Sequence, residues 1–306
     1  MMNKNLSILI PTHNDVCLQL VQQLHAQASA IEALDFEIIV ADDGSTQPSV
    51  VEWNRQIEQL SHTIYIIRCN NVGRSAIRNF LAQQAHYERL LFIDSDMTVI
   101  RNDFIRCYLQ EPDSVIVYGG YEVPDAHQAA ITADAQLHHN LRYRYELSAA
   151  SAHTATARSR HPYRDFHTSN FLVNRNIFLN HPLDERFTHY GYEDVLWGKE
   201  LKAQAIGIRH IDNPLGFCTF EDNAHFVAKT EEALRTLYRF SDDLEGYSSL
   251  LSLAHRLRRY RLAPLLLYFH RLTSSWERRL LCSSHPSLTI FKLYKLGYLL
   301  QLINEN

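Results

Sequence analysis

An α/β fold, with a mostly parallel sheet flanked by helices and a helical C-terminal region behind it, is what the sequence predicts, on three observations. Short apolar runs rich in β-branched residues alternate with segments of helical period over residues 6–97. Three of those runs end in polar or acidic clusters: Pro11-Thr12-His13-Asn14, Asp42-Asp43-Gly44-Ser45 and Asp94-Ser95-Asp96. From residue 224 onward the strand-like runs stop and helix follows helix. Alternating strands and helices imply parallel strands joined by crossovers, so the three clusters fall along one sheet edge, where open α/β sheets bind ligands.

Residues 6–10 make a first strand, stopped by Pro11, and the polar cluster behind it leads into a helix over 16–28 with Val16, Leu20 and Leu24 at helical spacing. The run FEIIVA, residues 36–41, is a second strand. A helix over 49–60, a third strand over 64–67, a turn at Asn70 to Gly73 and a helix over 75–86 follow. They lead into RLLFIDSDM, residues 89–97, whose apolar run is too short for a helix. Strand alternation puts Asp94 and Asp96 on one side and Ser95 on the other. Two carboxylates so placed repel unless a cation lies between them, and hard oxygen ligands suit a divalent metal held together with a phosphate-bearing substrate. A solvated acidic turn carries the same pattern.

A helix over 103–109 and a strand over 114–118 come next, with Gly119-Gly120 permitting close backbone approach. Residues 136–146 read as helical, and the His138-His139 pair there points apart rather than toward a shared metal. Residues 168–171 enter a strand. A helix over 195–205 has Glu193-Asp194 at its start, where the positive end of the helix dipole favours carboxylates that can accept a proton. Gly191 just ahead lets the chain approach a substrate closely. Helices over 226–240, 250–259, 265–276 and 288–302 show no chemical motif, and Leu234, Leu237, Leu250, Leu253 and Leu257 read as packing residues.

With 306 residues, 46% of them hydrophobic, the chain can bury a full core, and a division into 1–222 and 223–306 is expected. No apolar run approaches the roughly 20 residues a membrane span needs, and no signal segment opens the chain, so a cytoplasmic location is expected. Five scattered cysteines, Cys17, Cys69, Cys107, Cys218 and Cys282, form no metal knuckle or disulfide framework. Residues 1–222 hold 18 Lys+Arg against 27 Asp+Glu, whereas residues 223–306 hold 12 against 7. The basic excess crowds at Arg256, Arg258, Arg259 and Arg261, a solvated helix face or a contact for an anionic surface. Neither G-x-G-x-x-G nor G-x-x-x-x-G-K-[ST] is present, which excludes the common dinucleotide and P-loop sites. Nucleotide phosphate would then be neutralised by a metal and by basic side chains, for which Arg74 and Arg78, four apart on one helix face, are the candidates.

Taken together, SILIPTHN (7–14), EIIVADDGS (37–45), NVGRSAIRN (71–79), LLFIDSDM (90–97) and LDERFTHYGYEDVLWGKEL (183–201) resemble, in order, the family 2 nucleotide-sugar glycosyltransferases, which have a GT-A (Rossmann-like) fold. The resemblance implies that Thr12 and Asp43, with Asp42 and Asn14 close by, hold the base of the donor. It places Arg74 and Arg78 near the diphosphate, Asp94 at the ribose or metal, and Asn170 at the border of the sugar pocket. Asp96 and Asp94 would hold Mn²⁺ or Mg²⁺. Some members add a downstream histidine, and His210 is the candidate here, with His225 in a comparable window. Asp194 matches the catalytic base, with Glu193 beside it placing the acceptor. Where the family often has tyrosine, this chain has His13.

The implied chemistry is transfer of a hexosyl or N-acetylhexosaminyl group, with inversion, from a nucleoside-diphosphate sugar, a UDP-sugar by expectation. The acceptor would be a hydroxyl of a glycan or lipid-linked saccharide, as in bacterial surface polysaccharide synthesis. Nucleic acid is not an expected partner. A homo-oligomer, and peripheral contact with the inner membrane face through the basic C-terminal region, are compatible with the sequence. The alternatives are a sugar-phosphate nucleotidyltransferase, which normally carries a Gly-rich loop after its first strand, and a nucleotide-sugar-binding protein without catalysis.

Overall fold

Strands form where both faces of an extended run are apolar, and the first, second and fourth strands meet that condition in full. The computed structural model describes residues 5–123, 137–217 and 219–305; Gln136 and Cys218 lie outside them. In chain order the elements begin β1 (Asn5–Thr12), α1 (Leu18–Ser29), β2 (Asp35–Asp42), α2 (Pro48–Arg55, continued by a 3₁₀ turn Gln56–Gln59), β3 (Thr63–Ile67), α3 (Arg74–Gln84) and β4 (Arg89–Ile93). Then come β5 (Met97–Thr98), α4 (Phe104–Leu109), β6 (Ile116–Tyr118), β7 (Tyr121–Glu122), α5 (Leu141–Ala149), α6 (Ala155–Arg158), β8 (Asn170–Asn174) and α7 (Arg175–Asn180). The remaining elements are α8 (Glu193–Ala203), β9 (Ile208–His210), β10 (Leu215–Phe217), α9 (Asn223–Arg239), α10 (Ser249–Arg259), α11 (Ala263–Leu281) and α12 (Leu288–Glu305).

The chain divides into two compact units. The first comprises Met1–Glu122, Ser151–Thr188 and Trp197–Thr219; the second comprises Val123–Ala150, His189–Leu196 and Phe220–Asn306. The first unit holds a seven-stranded sheet in the order β3-β2-β1-β4-β8-β6-β9 and a small sheet β5-β10-β7. Side chains alternate across the large sheet as the period of two demands. Leu6, Ile8, Ile10, Ile38, Val40, Leu91 and Ile93 enter one core, and Leu9, Ile39, Ala41, Leu90 and Phe92 enter the other. At about 1.5–3 kcal/mol for each large apolar side chain, such two-sided burial outweighs any local preference for another conformation.

One strand expectation is corrected. Pro11 does not stop β1: it lies inside the strand, in register with Ala41, and β1 runs on to Thr12. The sheet is mostly parallel as expected, and its antiparallel member is β8, which inserts between β4 and β6 and runs antiparallel to both. A partner more than seventy residues away decides that orientation, and local periodicity is blind to it.

The second unit is helical. Asp222, Asn140 and Ser248 cap α9, α5 and α10 by accepting backbone N–H bonds at 2.8, 2.9 and 3.3 Å. Its core joins Leu141, Val227, Leu281, Phe291 and Tyr294. Leu234 and Leu237 are buried as expected, whereas Leu250, Leu253 and Leu257 are only half-buried.

Candidate functional site

The first unit brings its polar clusters to the carboxyl ends of β2, β1 and β4. There the sheet order β3-β2-β1-β4 turns from descending to ascending sequence, the switch point at which open α/β sheets form a crevice. Thr12 is 3% exposed and donates through its hydroxyl to the Asp15 carbonyl at 2.9 Å. Asp42 is fully buried; its carboxylate accepts from Ser45 N–H at 2.7 Å and from the Tyr65 hydroxyl at 2.6 Å. Asp43 accepts from the backbone N–H groups of Val72 and Gly73 at 2.9 and 3.0 Å, and burial raises its carboxyl while those two bonds pull it back. The two aspartates therefore anchor the loops on either side of them. Gly44 makes this possible, since at φ +72° a Cβ there would meet the Asn70 backbone at 2.6 Å.

Asn14 stands at φ +54°, and its side-chain carbonyl accepts from the N–H groups of Thr46 and Gln47 at 2.8 and 3.1 Å, tying the loop after β1 to the start of α2. His13 meets the Asp43 carbonyl through Nδ1 at 3.0 Å. Asn14, expected at the donor base, thus fixes a loop, and His13 does so beside it.

Asp94, Ser95 and Asp96 form a turn rather than a continuation of β4, closed by Met97 N–H donating to the Asp94 carbonyl at 3.3 Å. The expectation that strand alternation places the two aspartates is thereby corrected; turn geometry does so instead. Both are half-buried. Asp94 is paired with Arg78, a guanidinium only 2% exposed that also donates to the Arg74 carbonyl at 3.1 Å. Arg78 thus holds the acidic turn in place; Arg74 is half-buried at the start of α3. Asp15, in the loop after β1, lies beside Ser95; burial raises its carboxyl, and the Ser95 side chain lowers it.

Asn170 is fully buried and bonded at both ends. It donates to the Gly120 and Asn213 carbonyls at 2.7 and 3.0 Å and accepts from the Tyr108 hydroxyl at 2.8 Å. It joins β8 to the segment after β6 instead of facing a sugar. Asn170→Ala is expected to lower stability by about 1–3 kcal/mol, because it leaves the Asn213 carbonyl without its side-chain donor and removes one of the bonds made by the buried Gly120 carbonyl and Tyr108 hydroxyl. A urea-unfolding midpoint equal to wild type would overturn this role.

His210 is likewise engaged on both ring nitrogens. Nε2 donates to the Pro162 carbonyl at 2.9 Å, which leaves Nδ1 to accept from Arg158 at 3.3 Å. Burial, aided by the Arg158 charge, lowers its pKa to about 4. The ring is neutral and packed, with neither nitrogen turned to a cation, so its expected role as metal ligand is corrected on geometry. Sequence reading also missed Arg158, which is 2% exposed and lies 4.6 Å over the Tyr118 ring. It donates to the Gly119 and Ile211 carbonyls at 3.1 and 3.0 Å. An arginine in an unremarkable sequence context gives no signal of such a position.

A divalent cation fits the acidic turn on the chemistry of its donors. Among the described residues no group of three His, Cys, Asp or Glu side chains gathers. Two hard carboxylates on one turn are what such an ion takes from a protein when phosphate oxygens and water complete its shell.

In the second unit, Glu193 and Asp194 occupy the first turn of α8, Glu193 buried and Asp194 half-buried, with Val195 N–H donating to the Asp194 carboxylate at 2.8 Å. Gly191 stands at φ +100°, and a Cβ there would reach within 3.0 Å of Ala233 on α9, so its freedom serves helix packing. His225 is exposed at the start of α9.

A model of the family described as glycosyl transferase family 2 matches residues 7–178. Chondroitin synthase of Pasteurella multocida strain Pm70 is 27% identical over 248 residues, 70% of this chain. The match spans only 25% of that relative's length. Among solved structures, the mannosyltransferase PcManGT from Pyrobaculum calidifontis, in complex with GDP-Man and Mn²⁺, superimposes with a TM-score of 0.52 at 14% identity, covering 98% of this chain and 86% of that one. Residues 1–349 of S. aureus TarS, in complex with UDP-GlcNAc, give a TM-score of 0.50 at 14% identity, covering 98% and 92%. These likenesses in structure carry the fold, GT-A with a helical C-terminal region.

Proposed function

The chain belongs to glycosyl transferase family 2, and on that premise we propose that this glycosyltransferase moves a sugar from a nucleoside-diphosphate donor, a UDP-sugar first, to an acceptor hydroxyl with inversion of configuration. One observation carries the reading: Thr12, Asp42, Asp43 and the Arg78-anchored Asp94 stand together at the switch point of the first unit's sheet. The names of the chondroitin synthase, PcManGT and TarS relatives favour a saccharide acceptor and a nucleotide-sugar donor.

In this reading the loops after β1 and β2, locked by Asp42, Asp43 and Asn14, form a rigid wall for the nucleoside. Asp96, with Asp94 beside it, would hold Mn²⁺ or Mg²⁺, which when bound stabilises negative charge on the departing diphosphate. Arg78 keeps Asp94 oriented. Asp194 is assigned the removal of the acceptor proton, on the resemblance of its segment, and Glu193 the placing of the acceptor. Displacement from the face opposite the leaving group needs no covalent intermediate, which is why inversion follows.

A panel of nucleoside-diphosphate sugars tests the reading. Thermal unfolding with and without Mn²⁺ is expected to show one UDP-sugar raising the midpoint only when the cation is present. No stabilisation by any member of the panel would overturn it.

A further inference from the structure

We propose that the outward face of α11, together with the arginines at the end of α10, docks this protein on an anionic phospholipid membrane surface. Leu265, Tyr268, Phe269, Leu272 and Trp276 are each more than half exposed, and they follow one another at helical spacing, so they form a continuous apolar stripe. Tyr260 and Leu262, at the corner before α11, lengthen the exposed apolar surface. Contiguous apolar surface of this kind marks an interaction site.

The stripe lies opposite the side of α11 that packs into its own unit. The inner side of α11 is already closed, with Leu267, His270 and Leu281 buried. The His270 ring rests so closely on Gly297 of α12 that a Cβ there would come within 2.4 Å of it.

Charge selects the occupant. Residues 249–281 contain seven arginines and a single acid, Glu277. Glu277 is turned inward, accepting from the Thr273 hydroxyl at 2.6 Å and lying 3.2 Å from His270 Nδ1. Arg278 is paired with Glu231. Among the described residues, Arg256, Arg258, Arg259, Arg261, Arg271 and Arg279 have no acidic partner, and all are exposed. A second copy of the chain seated on this face would bring like charges together across a two-fold axis, whereas anionic headgroups neutralise them. Tryptophan and tyrosine are the rings that settle at headgroup level.

A cavity of about 270 Å³ among α10, α11 and α12 adds to the match: Arg258 and Arg261 line it together with Pro264, Leu267, Leu300 and Ile303. Guanidinium groups beside aliphatic walls suit a lipid phosphate and the chain attached to it. No helix among the described residues is long and apolar enough to cross a membrane, and the proposal is of surface binding. It goes beyond sugar transfer and does not depend on it.

Co-sedimentation of the full chain with vesicles is the test, using phosphatidylcholine alone and phosphatidylcholine with roughly one third phosphatidylglycerol. Binding is expected only to the anionic vesicles at about 0.05 M salt, weakening about tenfold or more at about 0.5 M. Two double variants, Phe269→Ser with Trp276→Ser and Arg258→Glu with Arg261→Glu, are each expected to weaken partition about tenfold or more. Circular dichroism and the thermal midpoint should stay at wild-type values, since all four side chains are exposed. Equal binding to neutral vesicles, no binding to either, or a dimer in light scattering that the Phe269→Ser, Trp276→Ser variant dissolves would each overturn the proposal.

Discussion

Asp96→Ala is expected to remove the cation-dependent part of UDP binding: calorimetry in Mn²⁺ should show affinity falling about a hundredfold or more, to the level wild type has in chelator. The reasoning starts from the turn. Asp94 is engaged by a guanidinium buried to 2% exposure, and Asp96 is the second carboxylate of the turn, the one assigned to the bridging ion. The choice of residue also separates binding from folding. Asp94→Ala would strand the Arg78 cation in the interior, a change that costs about 3–5 kcal/mol and would obscure any loss of affinity. The backbone bond that closes the turn, from Met97 N–H to the Asp94 carbonyl, does not use the Asp96 side chain. Wild-type affinity that is equal with and without Mn²⁺, or an Asp96→Ala affinity equal to wild type in Mn²⁺, would end the metal assignment.

The sequence made β1, β2, β3, β4, β6 and β8 legible because each holds a local apolar run, while β5, β7, β9 and β10, two or three residues long, gave no such signal, and it made the polar edge legible because three of the runs end in polar residues. What it concealed were partnerships over distance. That Asp42 belongs to Tyr65, Asp43 to the N–H groups of Val72 and Gly73, and Asn170 to Tyr108 and Gly120 follows from packing between segments far apart in the chain. A residue type that suits a ligand also suits a loop anchor, and only position decides between them. The antiparallel β8 was concealed for the same reason. In the second unit, apolar residues stand on every side of α11, so its sequence does not tell which of them face inward. The structure shows that Leu265 and Leu272 face outward while Leu267 and Leu281 face inward.

Asp194→Asn is expected to lower turnover of the donor sugar nucleotide about 10²- to 10⁴-fold while its dissociation constant stays within about twofold of wild type. A general base contributes to the rate by taking the proton of the attacking hydroxyl, and an amide cannot take it. The substitution is close to isosteric, and the carbonyl of the introduced amide retains the ability to accept from Val195 N–H, the 2.8 Å bond the carboxylate makes at the start of α8. Loss of the first helical turn is therefore not the expected cause of lost turnover. Nucleotide release measured with Mn²⁺ and the donor found by the panel supplies the rate, and calorimetry supplies the affinity. An unchanged rate in the variant would remove Asp194 from the mechanism. A wild-type chain that binds donor in a cation-dependent way but never releases nucleotide, with saccharide acceptors or with water, would instead favour a binding protein built on a glycosyltransferase fold. The carboxamide variant and the wild-type control thus distinguish a wrong residue from a wrong reaction.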